Sequence, residues 1–237
     1  MRPESYIQAA QAYLVASAQS RHSTDDSHRH PPFLTISREA GAGAHALAER
    51  VVEILNGPQP RVPWALFDDN LVQEVLREHD LPTDLARYMT EDKVAEVSEL
   101  IEVALGLHPH KDALVGKVNA TIIALARMGN VILVGRGAHV LTRAFPGGLH
   151  VRLIAELEHR RDYLAHAHGL EPRVAEERIA ALDVGRRAYV KRHFSSDVTD
   201  PMAYDMVINT TAQSIDSIAG MLAHRIIARD PRVVTHS

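Results

Sequence analysis

The stretch TISREAGAGAHALAERV (Thr35–Val51) has the pattern of a buried strand, a glycine turn and an amphipathic helix, in that order. Gly41 and Gly43 have no Cβ, so the backbone between strand and helix can take unusual angles and its N–H groups can approach an anion closely. The positive dipole end of the following helix attracts the same kind of ligand. A tight turn that binds nothing explains a G-x-G pattern equally well, so the motif alone leaves both interpretations open.

Two well-known glycine motifs are excluded at this turn. The dinucleotide pattern G-x-G-x-x-G fails because Ala46 stands three residues after Gly43. The phosphate-loop pattern G-x-x-x-x-G-K-[ST] fails because Ala44 and His45 stand where lysine and its hydroxyl neighbour are expected. A phosphate bound here would therefore lack the usual ammonium group, and Mg²⁺ would lack the usual hydroxyl ligand.

The composition predicts one main domain with a sizeable core, because 46% of the 237 residues are apolar. The 26 basic and 30 acidic residues give a net charge of −4, so we expect no nucleic acid and no anionic membrane as partner. The absence of cysteine excludes disulfides and thiolate chemistry. No apolar run reaches the ~18 residues of a membrane span and no secretory signal is visible, so we expect a cytoplasmic protein.

Hydrophobic periodicity predicts strands that alternate with helices along most of the chain. The predicted strands are 33–37, 64–67, 131–134, 149–154 and 206–208, and the predicted helices are 44–55, one from Leu71, most of 84–128, and 214–229. This alternation indicates an α/β fold with a parallel sheet of about five strands, covered on both faces. Outside it we predict an N-terminal helix at 1–19, whose apolar stripe would allow homo-oligomerisation, a polar linker at 20–32 and a tail at 230–237.

Taken together, five segments resemble the cytidylate kinase-like family, a branch of the P-loop nucleoside monophosphate kinases. They are SREAGAG (37–43), LFDDNLV (66–72), VILVGRGAHVLT (131–142), LHVRLIAELEHR (149–160), and LDVGRRAYVKRHF with DVTDPMAYDMVINT (182–210). The resemblance implies a three-layer α/β/α kinase domain at 33–229, with a helical acceptor-side region at 84–128 and a helical lid at 172–198. It also implies ATP and Mg²⁺ as cofactors, and a nucleotide or small phosphorylated metabolite, first CMP or dCMP, as the phosphoryl acceptor.

The resemblance also implies roles for particular residues. In the family the third-strand motif is G-R-D, and its arginine holds the acceptor phosphate. Here the motif is Gly135-Arg136-Gly137, which keeps the arginine and lacks the aspartate. The D-x-x-R of the family's lid is matched by Asp183 and Arg186, which implies contacts to the phosphates or to the acceptor.

Arginine suits phosphoryl transfer because its planar fork binds two phosphate oxygens and stays charged. Arg38 and Arg136 follow neighbouring strands of a parallel sheet, so we expect them to face a common cavity. Arg38 is the first substitute for the missing lysine, and a protonated His45 the second. The predicted site comprises catalytic Arg38, Arg136, Arg186 and Arg187; a phosphate cradle of Gly41, Ala42, Gly43, Ala44 and His45; an acceptor group of Asp68, Arg136, Arg178, Asp183 and Arg186; and Glu39 and Asp68 as candidate Mg²⁺ ligands.

Each of these assignments has a plainer structural alternative. Arg38 and Glu39 could form a surface pair, the basic stretch 178–192 could be the solvated face of a helix, and Asp68 could cap the helix that follows it. Two functions therefore stay open. One is an ATP-dependent kinase. The other is a catalytically weak or inactive nucleotide-binding protein on the same fold, which is favoured by the absence of three groups: the lysine and the Ser/Thr of the phosphate loop, and the aspartate after Arg136.

Overall fold

The protein, described by a computed structural model over residues 12–13, 30–57, 63–68 and 112–230, contains one parallel sheet. The strands are β1 (Phe33–Arg38), β2 (Ala65–Phe67), β3 (Val131–Val134), β4 (Gly148–Ile154) and β5 (Met206–Asn209), in the spatial order β2-β3-β1-β4-β5. The helices are α1 (Ala44–Asn56), α2 (Asp112–Met128), α3 (Ala138–Leu141), α4 (Leu157–His168), α5 (Pro172–Phe194) and α6 (Ile215–Ala228). The predicted α/β class and the predicted sheet of about five parallel strands are confirmed.

Strand limits agree with the predicted ones to within one residue. The predicted strand at 64–67 begins at Ala65, because the Asn56 side chain bonds to both backbone groups of Trp64. The Trp64 N–H donates to Asn56 Oδ1 at 2.6 Å, and Asn56 Nδ2 donates to the Trp64 carbonyl at 3.0 Å. The predicted helix from Leu71, residues 84–111 of the acceptor-side region, and most of the N-terminal helix, linker and tail lie outside the described residues.

At the amino-terminal end, Tyr13 packs against the main domain. Its side chain is fully buried, its ring meets the edge of Phe67 at 6.1 Å between centroids, and its hydroxyl donates to the carbonyl of Gly129. Tyr13 therefore contributes to the core around β2 and α2. Among the described residues, no helix has both the length and the apolar character to cross a membrane.

The two faces of the sheet differ in polarity. One face is aliphatic and packs on α1 and α6; its side chains are Leu34, Ile36, Ile132, Val134, Leu149, Val151 and Leu153. On the other face, Val131 and Leu133 of β3 pack on α2. The part of that face formed by β1 and β4 is polar although buried, and carries Thr35, Ser37, His150 and Arg152. Burying these groups is costly unless each is bonded, so this polar layer requires an explanation.

Candidate functional site

A cavity of about 310 Å³ lies where the carboxyl ends of β1 and β3 meet α5. Arg38 follows from β1, Arg136 from the turn after β3, and Arg186 from α5, and all three line the cavity. The remaining wall is largely apolar and consists of Gly135, Gly137, Ala181, Leu182, Gly185, Tyr189, Val190 and Val198, with Ser37 and His139 as polar members. Arg38 and Arg136 thus share a cavity, as the parallel-strand rule predicts.

Arg136 sits in a strained turn. Gly135, Arg136 and Gly137 have φ values of 90°, 53° and 71°, which lie in the region that L-residues with side chains rarely adopt. The turn is closed by the Ala138 N–H, which donates to the Gly135 carbonyl at 3.0 Å. The guanidinium carbon of Arg136 lies 5.6 Å from the centroid of the Tyr189 ring. Strain of this kind persists where the surroundings hold a residue in place for a function.

Gly137 stands where the family motif has aspartate, and the structure gives a steric reason for the difference. A Cβ on Gly137 would lie 2.2 Å from the ring of Phe194, at the end of α5. Phe194 therefore fills the space that a side chain at position 137 would need.

The glycine turn itself is packed against protein atoms. A Cβ on Gly41 would lie 2.5 Å from the carbonyl oxygen of Arg160, and one on Gly43 would lie 3.2 Å from Ile215. Close packing is therefore one reason for both glycines. The helix that follows, α1, begins without a side-chain cap and without an acidic residue in its first turn, which leaves the anion-binding character of its N-terminus intact.

Arg160, which is absent from the residues predicted from the sequence, connects the glycine turn to α5. One terminal nitrogen of its guanidinium donates to Asp183 Oδ2 at 2.6 Å and to the Ala40 carbonyl at 3.4 Å, and its Nε lies 3.6 Å from Glu39 Oε2. Asp183 Oδ1 in turn accepts from the Ala40 N–H at 2.8 Å. Arg160 lies in the first turn of α4 and does not directly follow a strand, so the strand-end rule that groups Arg38 with Arg136 does not identify it.

The other predicted arginines and Asp183 fall into two groups. Arg186 lines the cavity and lies 3.8 Å from Asp183, whose carboxylate is bound to Ala40 and Arg160. Arg178 and Arg187 are exposed and do not line the cavity. Arg187 donates to the Asp183 carbonyl at 3.4 Å. The structure therefore brings Arg186 to Arg38 and Arg136 and leaves Arg178 and Arg187 outside.

The two candidate Mg²⁺ ligands differ in their surroundings. Glu39 Oε2 accepts from the Ala155 N–H at 3.1 Å besides facing Arg160, so a protein cation already balances its charge. Asp68 Oδ2 lies 3.7 Å from His45 Nδ1 at the start of α1. Within the described part of the chain, no three His, Asp or Glu side chains form a metal-binding group. Asp68 fits a metal ligand better than Glu39 does.

Beneath the cavity, a hydrogen-bond network joins Ser37, Arg152, Tyr204 and His139. Arg152 donates to Ser37 Oγ at 3.1 Å. The Tyr204 hydroxyl lies 2.9 Å from the Val198 carbonyl and 3.2 Å from both Ser37 Oγ and His139 Nε2. The rings of His139 and Tyr204 stack with centroids 4.7 Å apart. This network accounts for Ser37 and Arg152 of the polar layer on β1 and β4, and the other two members pair with each other, with Thr35 Oγ1 2.8 Å from His150 Nδ1.

The network makes folding stability depend on pH. Burial, with a smaller contribution from the nearby charges of His150 and Arg152, lowers the pKa of His139 to about 4. The folded-state pKa is thus below that of the unfolded chain, so stability is lost as the pH falls from about 6.5 towards 4, by about 3 kcal/mol. Urea unfolding of wild type and His139→Gln from about pH 7 to about pH 4 measures this loss. The variant should lose less stability, and identical pH slopes would refute the assignment.

Similarity to known proteins covers most of the chain. A model of the cytidylate kinase-like family matches residues 33–212. The cytidylate kinase of Pyrococcus horikoshii is 24% identical over 198 residues, which span 84% of this chain and 90% of that protein. The crystal structure of an uncharacterized protein from Eubacterium ventriosum has a TM-score of 0.61 at 19% identity, and the match covers 83% of this chain and 98% of that one. The chain therefore shares its fold with the Eubacterium ventriosum protein.

Proposed function

Because the chain belongs to the cytidylate kinase-like family, we propose that it is an ATP-dependent phosphotransferase that moves the γ-phosphoryl group of ATP to a small phosphorylated acceptor. CMP and dCMP are the first acceptors to test, since the relative from Pyrococcus horikoshii is a cytidylate kinase. The observation that carries the proposal is the single cavity shared by Arg38, Arg136 and Arg186.

Three guanidinium groups on one cavity are suited to a phosphate. Phosphoryl transfer leaves little covalent chemistry to the protein and depends on positioning and on cations placed around the oxygens that carry charge. Tyr189, Leu182 and Val190 make the rest of the wall largely apolar, which lowers the local dielectric and strengthens attraction to an anion. In our proposal this cavity holds the acceptor phosphate, with Arg136 as its main ligand.

The nucleotide donor is assigned to the glycine turn, on the other side of Arg38. None of residues 39–45 lines the cavity, so donor and acceptor have separate places that meet at the end of β1. The uncapped first turn of α1 supplies N–H groups for the ATP phosphates. Arg160 contacts the backbone of this turn, which makes it a better substitute for the missing lysine than Arg38, whose side chain belongs to the cavity.

Mg²⁺ is assigned to the same region. When bound, it would neutralise phosphate charge and help align the two substrates. Asp68, beside the start of α1, is the protein carboxylate that we assign to it, directly or through water.

A catalytically inactive nucleotide-binding protein is the second candidate, and one observation favours it. The Asp183 carboxylate accepts hydrogen bonds from the Ala40 N–H and the Arg160 guanidinium. These two donors are therefore already bonded within the protein and not left for a phosphate. In that case ATP would raise the melting temperature without turnover, because a ligand that binds only the native state stabilises it.

Release of ADP across a panel of nucleoside monophosphates and other small phosphorylated acceptors, with Mg²⁺ and ATP, tests the proposal. We expect ADP formation that depends on one of the acceptors. Stabilisation by ATP with no acceptor-dependent ADP would select the inactive protein, and neither response would refute both candidates.

A further inference from the structure

Arg152 is an unusual residue for the interior of a sheet domain. Its side chain is buried, with 6% exposed, and in the part of the chain that the structure describes no carboxylate lies within 4.0 Å of it. It donates to Ser37 Oγ at 3.1 Å and lies beside Tyr204, facing its hydroxyl, with the ring centroid 5.9 Å from the guanidinium carbon. The Asp197 carboxylate is bound to Thr199 instead, and these bonds, with smaller contributions from the charges of Lys191 and Arg152, lower its pKa. A buried cation with neutral partners is costly, so an anion bound close to Ser37 would stabilise Arg152.

When each polar hydrogen of the network is assigned to an acceptor, the hydroxyl of Ser37 is left as a donor that can point into the cavity. The Val198 carbonyl can only accept, so it takes the single proton of the Tyr204 hydroxyl at 2.9 Å. Neutral His139 can donate its own Nε2–H to the same hydroxyl oxygen at 3.2 Å. Ser37 Oγ accepts from Arg152, so the Ser37 proton is left to donate either to the Tyr204 oxygen at 3.2 Å or into the cavity, which Ser37 lines.

An anion in the cavity would be the stronger acceptor of the two. Hydrogen bonds to an ionised oxygen are roughly twice as strong as those between neutral groups. The positive charge of Arg152 on Ser37 Oγ polarises the O–H further and makes it a better donor. Ser37 of β1 and Arg136 in the turn after β3 are close to each other, because the Gly135 N–H donates to the Ile36 carbonyl at 3.0 Å. One phosphate in the cavity can therefore reach both residues.

We infer that Ser37 is a further binding residue for the acceptor phosphate, and that Arg152 is a positioning residue which orients and polarises the Ser37 hydroxyl from behind. The inference deepens the proposed function and rests on it for the identity of the ligand as an acceptor rather than a donor phosphate. The cavity residues support that choice, since they include Ser37 and Arg136 and none of the glycine turn.

Calorimetric titration of CMP and, separately, of ATP into wild type and five variants tests the inference. Ser37→Ala should weaken CMP binding about tenfold, because a hydrogen bond to a charged oxygen is lost. Arg152→Met should weaken it in the same direction. The double variant should bind CMP no more weakly than Ser37→Ala alone, because Arg152 acts through Ser37. ATP affinity should stay unchanged in all of them.

Thr35→Val is the matched control. Thr35 is two residues earlier on the same strand face and is also buried, and its hydroxyl oxygen lies 2.8 Å from His150 Nδ1 without lining the cavity. Its variant should bind CMP like wild type. Urea unfolding of each variant separates folding from binding, and Arg152→Lys, which keeps a charged donor, should restore part of the affinity.

Three results would overturn the inference. One is equal CMP affinity in wild type and Ser37→Ala, and another is additive loss in the double variant. The third is a wild type that binds no nucleoside monophosphate, which would also contradict the assignment of the cavity to the acceptor phosphate. A different result would refute the proposed function alone. In that case the variants bind CMP more weakly, as the inference predicts, but wild type releases no ADP that depends on an acceptor.

Discussion

Replacing Arg136 with alanine should lower kcat/KM for the acceptor about 300-fold, the loss expected for one well-placed transition-state donor. Arg136 is held by a turn of three positive φ values, so its guanidinium enters the cavity without reorganisation. Alanine removes the guanidinium and keeps the backbone of the turn. Stability should therefore change little, and acceptor-dependent ADP release measures the effect.

Arg187→Ala is the control for this prediction. Arg187 has the same charge and lies on the same helix as Arg186, but it is exposed and outside the cavity. Its removal should leave kcat/KM close to wild type. Arg136→Lys should fall between the two, because a lysine keeps the charge and loses the bidentate geometry. Equal losses in Arg136→Ala and Arg187→Ala would mean that only the overall charge of the region matters.

Replacing Arg160 with methionine should lower the free energy of unfolding by about 4 kcal/mol, because in a poorly solvated place it leaves Glu39 without its cation and Asp183 with only the more distant Arg186, at 3.8 Å. The side chains of Arg160 and Asp183 are 11% and 15% exposed, and that of Glu39 is 27% exposed. The variant should also bind ATP more weakly, since Arg160 supports the glycine turn. Urea unfolding and ATP titration measure the two effects.

The neighbouring Arg161 provides the comparison. It also pairs with two carboxylates, Asp162 at 2.9 Å and Glu158 at 3.4 Å, but both partners are exposed to solvent. Exposed pairs contribute little, so Arg161→Met should unfold nearly like wild type. Asp183→Asn should relieve part of the loss in the Arg160→Met background. If the Arg160 and Arg161 variants unfold alike, the Arg160 cluster is not a structural link.

Much of the fold follows from local patterns. β3 is a continuous apolar run because both of its faces are covered, by α1 and α6 on one side and α2 on the other, and such a run is recognisable in sequence. The common cavity of Arg38 and Arg136 follows from the way parallel strands end at one edge. These predictions need only the order of strands and the residue that follows each one.

The inward face of α5 was also readable. Ala175, Ile179 and Val190 are buried, and Arg186 lies on their side of the helix, whereas Arg178 and Arg187 lie about a quarter of a turn to either side. Sorting the basic cluster by this period would have separated the cavity arginine from the exposed ones.

Contacts between distant segments could not be predicted this way. Phe194 fills the side-chain space of Gly137 only because the end of α5 folds back onto the turn after β3. The pairing of Arg160 with Asp183 likewise depends on how α4 and α5 pack together. In both cases residue type and spacing give no signal, because the partners are set by tertiary packing.

The central claim is that guanidinium groups around one cavity bind the phosphate of the acceptor. Its most direct test is calorimetric titration of the four ribonucleoside monophosphates and their parent nucleosides into wild type and Arg136→Ala. We predict that at least one monophosphate binds wild type about 30-fold more tightly than its nucleoside, and that Arg136→Ala removes most of this difference. A wild type that does not distinguish monophosphate from nucleoside, or an Arg136→Ala variant that still does so fully, would contradict the claim.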